Sequence, residues 1–257
     1  MKQVDLRHGA ASDVGLVRTV NEDSFLVAPP VFVVADGMGG HSGGDVASQI
    51  VVEEFARLAA DDDPARGAEH VADAFSRAQA RIVGYGEAHR AATPGWHSGT
   101  TAVVAVLVDD NGVTKWLLAN LGDSRIYRIT GGRLEQISVD HSVVQELIDA
   151  GEITPDQATV HPQRHVITRA LGSPEGIEPD FFWLPLGSVE RLLLCSDGVT
   201  GMIEDAEIED ILQTTPDPGD AAERLVRAAV AAGGRDNATA VVIDVVGSLE
   251  SRVGGRQ

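Results

Sequence analysis

Five aspartates, Asp23, Asp36, Asp123, Asp197 and Asp236, each lie at the edge of an apolar run and close to glycine or asparagine. Two of them repeat one arrangement. Val31-Phe-Val-Val-Ala runs into Asp36-Gly37, and Arg191-Leu-Leu-Leu-Cys-Ser runs into Asp197-Gly198. An apolar run that stops at an aspartate reads as a buried strand ending in a carboxylate. The glycine lets the chain turn and brings main-chain oxygens close to whatever the aspartate holds. A carboxylate and a carbonyl oxygen at a strand end suit a hard cation. A single Asp-Gly is also a common turn dipeptide. Two copies, with three further aspartates in similar settings, point beyond a turn.

If strands 31–35, 116–120, 191–196 and 239–246 are neighbours, their ends share one rim. Carboxylates gathered there repel and shift each other's pKa values, and cations relieve the repulsion. Oxygen ligands with waters suit Mg²⁺ or Mn²⁺. His41 alone is too little for a zinc site. Two such ions about 3.5–4 Å apart bridge one water, bring its pKa near neutrality and let it attack phosphorus in line. The phosphoryl oxygens then need a cationic partner. Arg18 is the candidate, because a guanidinium fork matches phosphate. The plainer reading of Arg18 is a surface salt bridge to Glu22 or Asp23.

The chain of 257 residues is 43% hydrophobic, enough for a sizeable core. Its formal charge of −19 repels nucleic-acid phosphates and anionic membranes. A solvated surface accounts for most of that excess. The single Cys195 excludes an internal disulfide and fits a reducing compartment, hence a cytoplasmic location. Its setting, Leu-Leu-Leu-Cys-Ser, is that of a small core residue. No signal peptide follows Met1, and no apolar run approaches the roughly 20 residues that span a bilayer.

The spacing of apolar residues predicts short strands over 4–10 and 24–28 and a helix over 44–60. In that helix Val46, Ile50, Glu54 and Leu58 follow one face. A second helix runs from about 66 to 89, with Val71, Phe75, Ala78 and Ile82 inward. Strands 102–108, 114–120, 126–129 and 134–139, separated by Asp-Asn-Gly, Gly-Asp and Gly-Gly turns, read as an antiparallel meander. A short helix over 143–150 opens an irregular segment, and long irregular segments in compact domains usually serve function. A strand at 191–196, helices near 205–213 and 219–232, and a strand at 239–246 complete the core. The tail 248–257 reads as disordered. Antiparallel strands with paired helices argue for an α+β fold of two packed sheets with helices outside, in one domain over 1–247.

Eight ordered segments then carry a resemblance. They are Arg18-x-x-Asn21-Glu22-Asp23, Ala35-Asp-Gly-Met-Gly-Gly40, Ser98-Gly-Thr-Thr101, Asn120-Leu-Gly-Asp-Ser-Arg125, Asp140-His-Ser142, Thr168-Arg-Ala-Leu-Gly172, Leu194-Cys-Ser-Asp-Gly198 and Asp236-Asn237. The chain resembles the metal-dependent protein phosphatases of type 2C, in their bacterial serine/threonine branch. The resemblance implies a four-layer αββα sandwich with two Mn²⁺ or Mg²⁺ ions in the cleft, and hydrolysis of phosphoserine and phosphothreonine in proteins, opposing a kinase. Position by position, it implies that Asp36 bridges both ions and that the Gly37 carbonyl binds one. Asp197 and Asp236 bind the other, Asp23 acts from a second layer or through water, and Arg18 holds the phosphate. A third ion falls to Asp123 with Asp197. Residues 142–166 correspond to a variable flap. No nucleic acid, membrane or further subunit is implied for this chain.

One position departs from the animal members, which place a histidine directly after the first Asp-Gly; here it is Met38. The proton for the leaving oxygen then comes from a metal-bound water, with His41 as the alternative donor. The competing reading is a catalytically inactive module that binds phosphoproteins. The presence of every expected ligand weighs against it. Ser98-Gly-Thr-Thr101 reads as a buried turn with satisfied hydroxyls, Trp96, Trp116 and Trp183 as packing, and His161 and His165 as flap surface.

Overall fold

The computed structural model describes residues 4–39, 43–61, 67–90, 93, 96–174 and 176–248. The strands, in chain order, are β1 (Val4–Asp13), β2 (Ser24–Ala28), β3 (Val31–Ala35), β4 (Gly37–Met38), β5 (Gly99–Thr100), β6 (Ala102–Asp110), β7 (Val113–Leu121), β8 (Arg125–Thr130), β9 (Arg133–Gln136), β10 (Asp180–Pro185), β11 (Arg191–Cys195) and β12 (Ala238–Ser248). The helices are α1 (Gly44–Ala60), α2 (Ala68–Arg90), α3 (Val143–Asp149), α4 (Pro155–Ala158), α5 (Asp197–Thr200), α6 (Asp205–Thr214) and α7 (Pro218–Ala231).

Two five-stranded antiparallel sheets face each other, one ordered β1-β12-β11-β8-β9 and the other β10-β7-β6-β3-β2. The period-2 alternation of side chains splits each central strand between two cores. Phe32 and Val34 of β3 meet Leu192, Leu194, Val241 and Ile243 between the sheets. Val31, Val33 and Ala35 point the other way, against Ala47, Val51 and Phe55 of α1 and Phe75 and Ile82 of α2. On the far side, Leu193 and Cys195 pack under Ile208, Leu225 and Ala229 of α6 and α7. The layers are therefore αββα, and the continuous apolar runs are strands buried on both faces.

Most element bounds match those expected from periodicity, and α1 matches at both ends. Three differences matter. The four expected hairpin strands are not one meander. The β6–β7 and β8–β9 hairpins lie in different sheets, and Leu121-Gly-Asp123-Ser is the crossing between them. Asp197-Gly198 opens a short helix, α5, rather than a turn. β10, an edge strand paired with β7, follows the proline-punctuated segment and carries no alternation strong enough to have announced it. Trp96 and Trp116 are buried as expected, but Trp183 on β10 is 46% exposed and does not serve packing. Asp62, Asp63 and the tail from Leu249 onward lie outside the described residues.

One buried charge ties α1 to α2. Glu54 is fully buried and receives bonds from Arg57 Nη1 at 2.7 Å, Arg77 Nε at 3.0 Å and Arg81 Nη1 at 2.7 Å. Burial alone would raise its pKa, but the arginine hydrogen bonds outweigh burial and hold it below its ordinary value. A depressed carboxyl pKa contributes stability above the unfolded value, and the contribution is lost as pH falls through the folded value. The arginines are partly exposed, which discounts the gain. Glu54→Gln is expected to cost about 2 kcal/mol, or ~4–8 °C of Tm, at neutral pH. The gap between variant and wild type should close as the solution is acidified below 4.5, the ordinary carboxyl value. Thermal unfolding at both pH values checks this; a gap that persists in acid contradicts it.

Candidate metal centre

The cleft lies where the two sheets offer strand ends to each other. β3 delivers Asp36, β11 leads into Asp197 at the start of α5, Asp236 precedes β12, Asp23 precedes β2, and Asp123 sits in the crossing from β7 to β8. The four strands whose ends were expected to meet are divided two and two: β3 and β7 in one sheet, β11 and β12 in the other. The rim is therefore shared between sheets.

The two Asp-Gly steps need glycine for close approach. A Cβ on Gly37 would collide with the carbonyl oxygens of Glu22 and Gly44, and one on Gly198 with the carbonyl of Asn237. Neither glycine has a positive φ. The peptide after each aspartate is thus pressed against a neighbouring main chain rather than turned through left-handed backbone.

The Asp36 main chain is clamped. Its carbonyl accepts from Thr101 N at 2.9 Å and Thr100 Oγ1 at 2.8 Å, and its N–H donates to Thr101 Oγ1 at 3.1 Å. Thr101 Oγ1 also pairs with Ser124 Oγ at 2.7 Å, which ties the Asp36 strand to the Asp123 turn. The Ser98–Thr101 hydroxyls are thus satisfied, as expected, and they also position the cleft. Asn237 does the same for the loop carrying Arg18. Its Oδ1 accepts from Glu22 N at 2.8 Å, and its Nδ2 donates to the carbonyls of Val14 and Val20 at 3.0 Å each. Ser196 Oγ donates to Asp23 Oδ2 at 2.8 Å and accepts from Thr239 N at 2.9 Å.

The carboxyls themselves are electrostatically strained. Asp23 is buried, while Asp36, Asp123, Asp197 and Asp236 are half-buried, crowded by protein yet open to the cleft. Burial, followed by the charges of Asp23, Asp197, Asp123 and Asp236, pushes Asp36 well above the usual carboxylate range. Asp36 and Asp197 lie close enough to share a hydrogen bond. Burial and neighbouring acids lift Asp23 and Asp123 to about 7. Asp23 Oδ1 is buried and has no hydrogen-bond partner. Orphaned and mutually repelling oxygens are what a divalent cation satisfies. The donor set fits a hard cation, because it is made of carboxylate and carbonyl oxygens. Among the described residues, no three His, Cys, Asp or Glu side chains already enclose one ion position. Ser196 holds one Asp23 oxygen, and Arg18 Nη2 holds Asp236 Oδ2 at 2.8 Å.

Arg18 is half-exposed, and its ion-pair partner is Asp236, not the Glu22 or Asp23 that proximity in sequence suggested. Met38 is half-buried, with Gly37 and Met38 paired to Thr100 and Gly99. His41 lies outside the described residues. Asn237, Ser196, Thr101 and Ser124 carry the positioning hydrogen bonds, a role the residue pattern did not announce; for Thr101 it announced only a satisfied hydroxyl. Each adjoins or lies within a quoted motif, which was the available signal.

A family model described as "Protein phosphatase 2C" matches residues 17–232. The serine/threonine protein phosphatase PstP of Mycobacterium tuberculosis is 41% identical over 241 residues, covering 94% of this chain and 45% of that protein. This chain thus spans about half the length of that relative. The protein phosphatase PhpP of Streptococcus pneumoniae is 36% identical over 245 residues, covering 91% of this chain and 95% of that one. Among solved structures, the catalytic domain of PstP in complex with two manganese ions superposes with a TM-score of 0.81 at 36% identity, covering 94% of this chain and 99% of that one.

The strain at the rim gives Asp36→Asn two opposite effects. Removing one of the crowded charges relieves repulsion, so in EDTA the variant should melt above wild type. Saturating Mn²⁺ should raise the wild-type Tm by several degrees through mass action, on the order of 2–4 kcal/mol. It should leave the variant nearly unmoved. Differential scanning fluorimetry in EDTA and in Mn²⁺ reads both arms. An Asp36→Asn variant that melts below wild type in EDTA, or gains the full Mn²⁺ shift, contradicts the assignment of repulsion and ion uptake to this carboxylate.

Proposed function

The chain belongs to the protein phosphatase 2C family, and we propose that it hydrolyses phosphoserine and phosphothreonine esters in proteins at a two-ion centre in this cleft. The observation that carries the reading is the convergence of Asp36 with Asp23, Asp123, Asp197 and Asp236, acids remote in sequence whose charges all bear on it. In this reading Asp36 would hold both ions, with the Gly37 carbonyl at one and Asp197 and Asp236 at the other. Asp23, fixed by Ser196 and with one oxygen unpartnered, would act through water. Asp123, raised by burial and then by the charge of Asp197, would join Asp197 at a third ion position. Mn²⁺ or Mg²⁺ satisfies this donor set. When bound, the ions supply Lewis acidity and lower the pKa of a water toward neutrality.

The protein's own groups do the rest. Arg18 presents its guanidinium at the mouth of the cleft, where it orients the phosphoryl oxygens and offsets their charge. Asn237 fixes the loop that carries Arg18, so the clamp is held before substrate arrives. Thr100 and Thr101 fix the Asp36 main chain, so its carboxyl is aimed without reorganisation. Met38 has no exchangeable proton, so the leaving alkoxide is protonated from water in the cleft. Residues 1–247 act as one domain and as a monomer, on phosphoproteins made by a serine/threonine kinase. A cytoplasmic location is part of the proposal, supported by the lone Cys195, buried as a free thiol. No described helix is long and apolar enough to cross a membrane.

Turnover of p-nitrophenyl phosphate and of a phosphothreonine peptide in Mn²⁺, Mg²⁺ and EDTA tests the reading. EDTA should abolish both activities. Asp36→Asn should lose about 100-fold or more in kcat. Arg18→Ala should raise KM about tenfold with a smaller change in kcat, as loss of a phosphate contact predicts. Undiminished turnover in the Asp36→Asn variant would falsify the assignment.

A further inference from the structure

Within Asp140-His141-Ser142, the central residue has no part in the chemistry above. Its neighbours have clear structural partners. Asp140 takes bonds from Arg125 Nε at 2.9 and 3.0 Å and from Nη2 at 2.8 Å, and Ser142 caps α3. His141 is 5% exposed and its ring spans two separate elements. Gly122 N–H donates to Nδ1 at 3.1 Å, and Nε2 lies 3.2 Å from Asp180 Oδ2 on β10. A backbone N–H can only donate, so Nδ1 is unprotonated and Nε2 carries the proton. That proton goes to Asp180. Burial lowers the pKa of the ring and favours this neutral form. Arg169 Nη1 accordingly takes Asp180 Oδ1, at 3.3 Å, as its acceptor.

The main chain of His141 makes the same connections. Its N–H donates to Gly122 O at 2.9 Å, and its carbonyl accepts from Thr168 N at 2.8 Å. Beside it Ser142 pairs with Ile167, and Val143 N donates to Val166 O at 2.9 Å. Residue 141 is therefore the point where both roots of the 142–167 segment meet. Its ring and backbone clasp Gly122, the residue before Asp123. The second root continues to Leu171, which exchanges bonds of 3.1 and 2.9 Å with Thr100, and Thr100 Oγ1 holds the Asp36 carbonyl. The segment is rooted in both acid-bearing turns, and His141 is the side chain that joins it to the Asp123 turn.

We propose that His141 is a positioning residue that holds both the turn carrying Asp123 and the root of the 142–167 segment, so that loss of its ring loosens both. The proposal deepens the phosphatase reading and rests on it for the role of Asp123. Such coupling needs a continuous physical path between the two ends. Here the path is one residue, with its Nδ1 and N–H on Gly122, its carbonyl on Thr168 and its Nε2 on Asp180.

The test uses the full chain and three variants. His141→Ala removes both ring bonds. His141→Asn keeps an acceptor for Gly122 N–H but cannot reach Asp180. Asp180→Asn, at a side chain 41% exposed, weakens the outer bond and the Arg169 ion pair but leaves the Gly122 bond in place, so for this variant cleavage is read after Arg164. The readouts are Mn²⁺ binding by calorimetry, tryptic cleavage after Arg164 and Arg169, and KM against kcat on a phosphothreonine peptide. His141→Ala should weaken the weakest class of Mn²⁺ sites about tenfold, as loss of an outer-shell partner does. It should also speed cleavage about fivefold and raise KM more than it lowers kcat. His141→Asn should recover Mn²⁺ affinity while the segment stays cleavable. Asp180→Asn should speed cleavage and leave Mn²⁺ affinity unchanged. Wild-type cleavage and wild-type Mn²⁺ affinity in His141→Ala overturn the proposal. If that variant does not fold, the same result in the other two overturns it. A lower Tm with KM, cleavage and Mn²⁺ affinity unchanged makes His141 an ordinary core residue and also overturns it. A wild-type protein inactive on the peptide in Mn²⁺ would sink the phosphatase reading, while the cleavage and calorimetry arms still judge the coupling.

Discussion

Five acids held in one rim repel each other, and nearly every other feature of the chain has to withstand that repulsion. Burial raises Asp36, Asp23 and Asp123 far above ordinary carboxyl pKa values, and the neighbouring acids add to the shift. A loose framework would relax by letting the strand ends move apart. This framework cannot, because the strands that lead into Asp36, Asp123 and Asp197 end in fully buried residues. Displacing β3 would disturb the core between the sheets and the core under α1 and α2 at once. Close-packed interiors resist such shifts.

Packing alone sets the positions of strands to within their mutual fit; hydrogen bonds to the main chain refine them at the rim. Thr100 and Thr101 take both polar groups of the Asp36 peptide, Asn237 takes three backbone groups of the loops around Arg18 and Glu22, and Ser196 takes Asp23. All of these are buried. In a setting of low dielectric such bonds are strong when made and costly when missing. They explain why small polar residues cluster beside the acids. The crossing from β7 to β8 adds the last constraint. Because the chain changes sheets at Gly122-Asp123, the hydroxyl pair Thr101–Ser124 links one sheet to the other at the site itself.

The acids were legible in the sequence because their signal is local. An apolar run that ends in Asp-Gly can be read from a single short stretch, and two copies compound the signal. Helix α1 was legible for the same reason, down to Glu54 on the inward face. What failed was whatever depends on pairing. The Asp-Asn-Gly and Gly-Asp turns look equally like hairpin signals, yet the first closes a hairpin and the second crosses between sheets. β10 is an edge strand with a polar start and an exposed Trp183, so its alternation is weak. The plainer reading of Arg18 paired it with its nearest acids in sequence, but its ion-pair partner stands 218 positions away. Asn237 and His141 were quoted within motifs and given no work, because most of what they hold is backbone, and backbone positions leave no mark in residue types.

The pairing of Arg18 with Asp236 bears on how the two ends of the reaction are joined. One carboxylate oxygen is 2.8 Å from a guanidinium assigned to phosphate, and the same side chain is assigned to an ion. Both partners are substantially exposed, so the pair is worth little by itself. It is therefore readily given up. In the proposed roles, an ion that drew Asp236 inward would leave the guanidinium without a counter-charge, and a dianionic phosphoryl group would replace it. Linkage would then run both ways: a phosphate that engaged Arg18 would free Asp236 for the ion. An acid that adds to the repulsion of the rim would in that case also tie the order of the clamp to the filling of the centre.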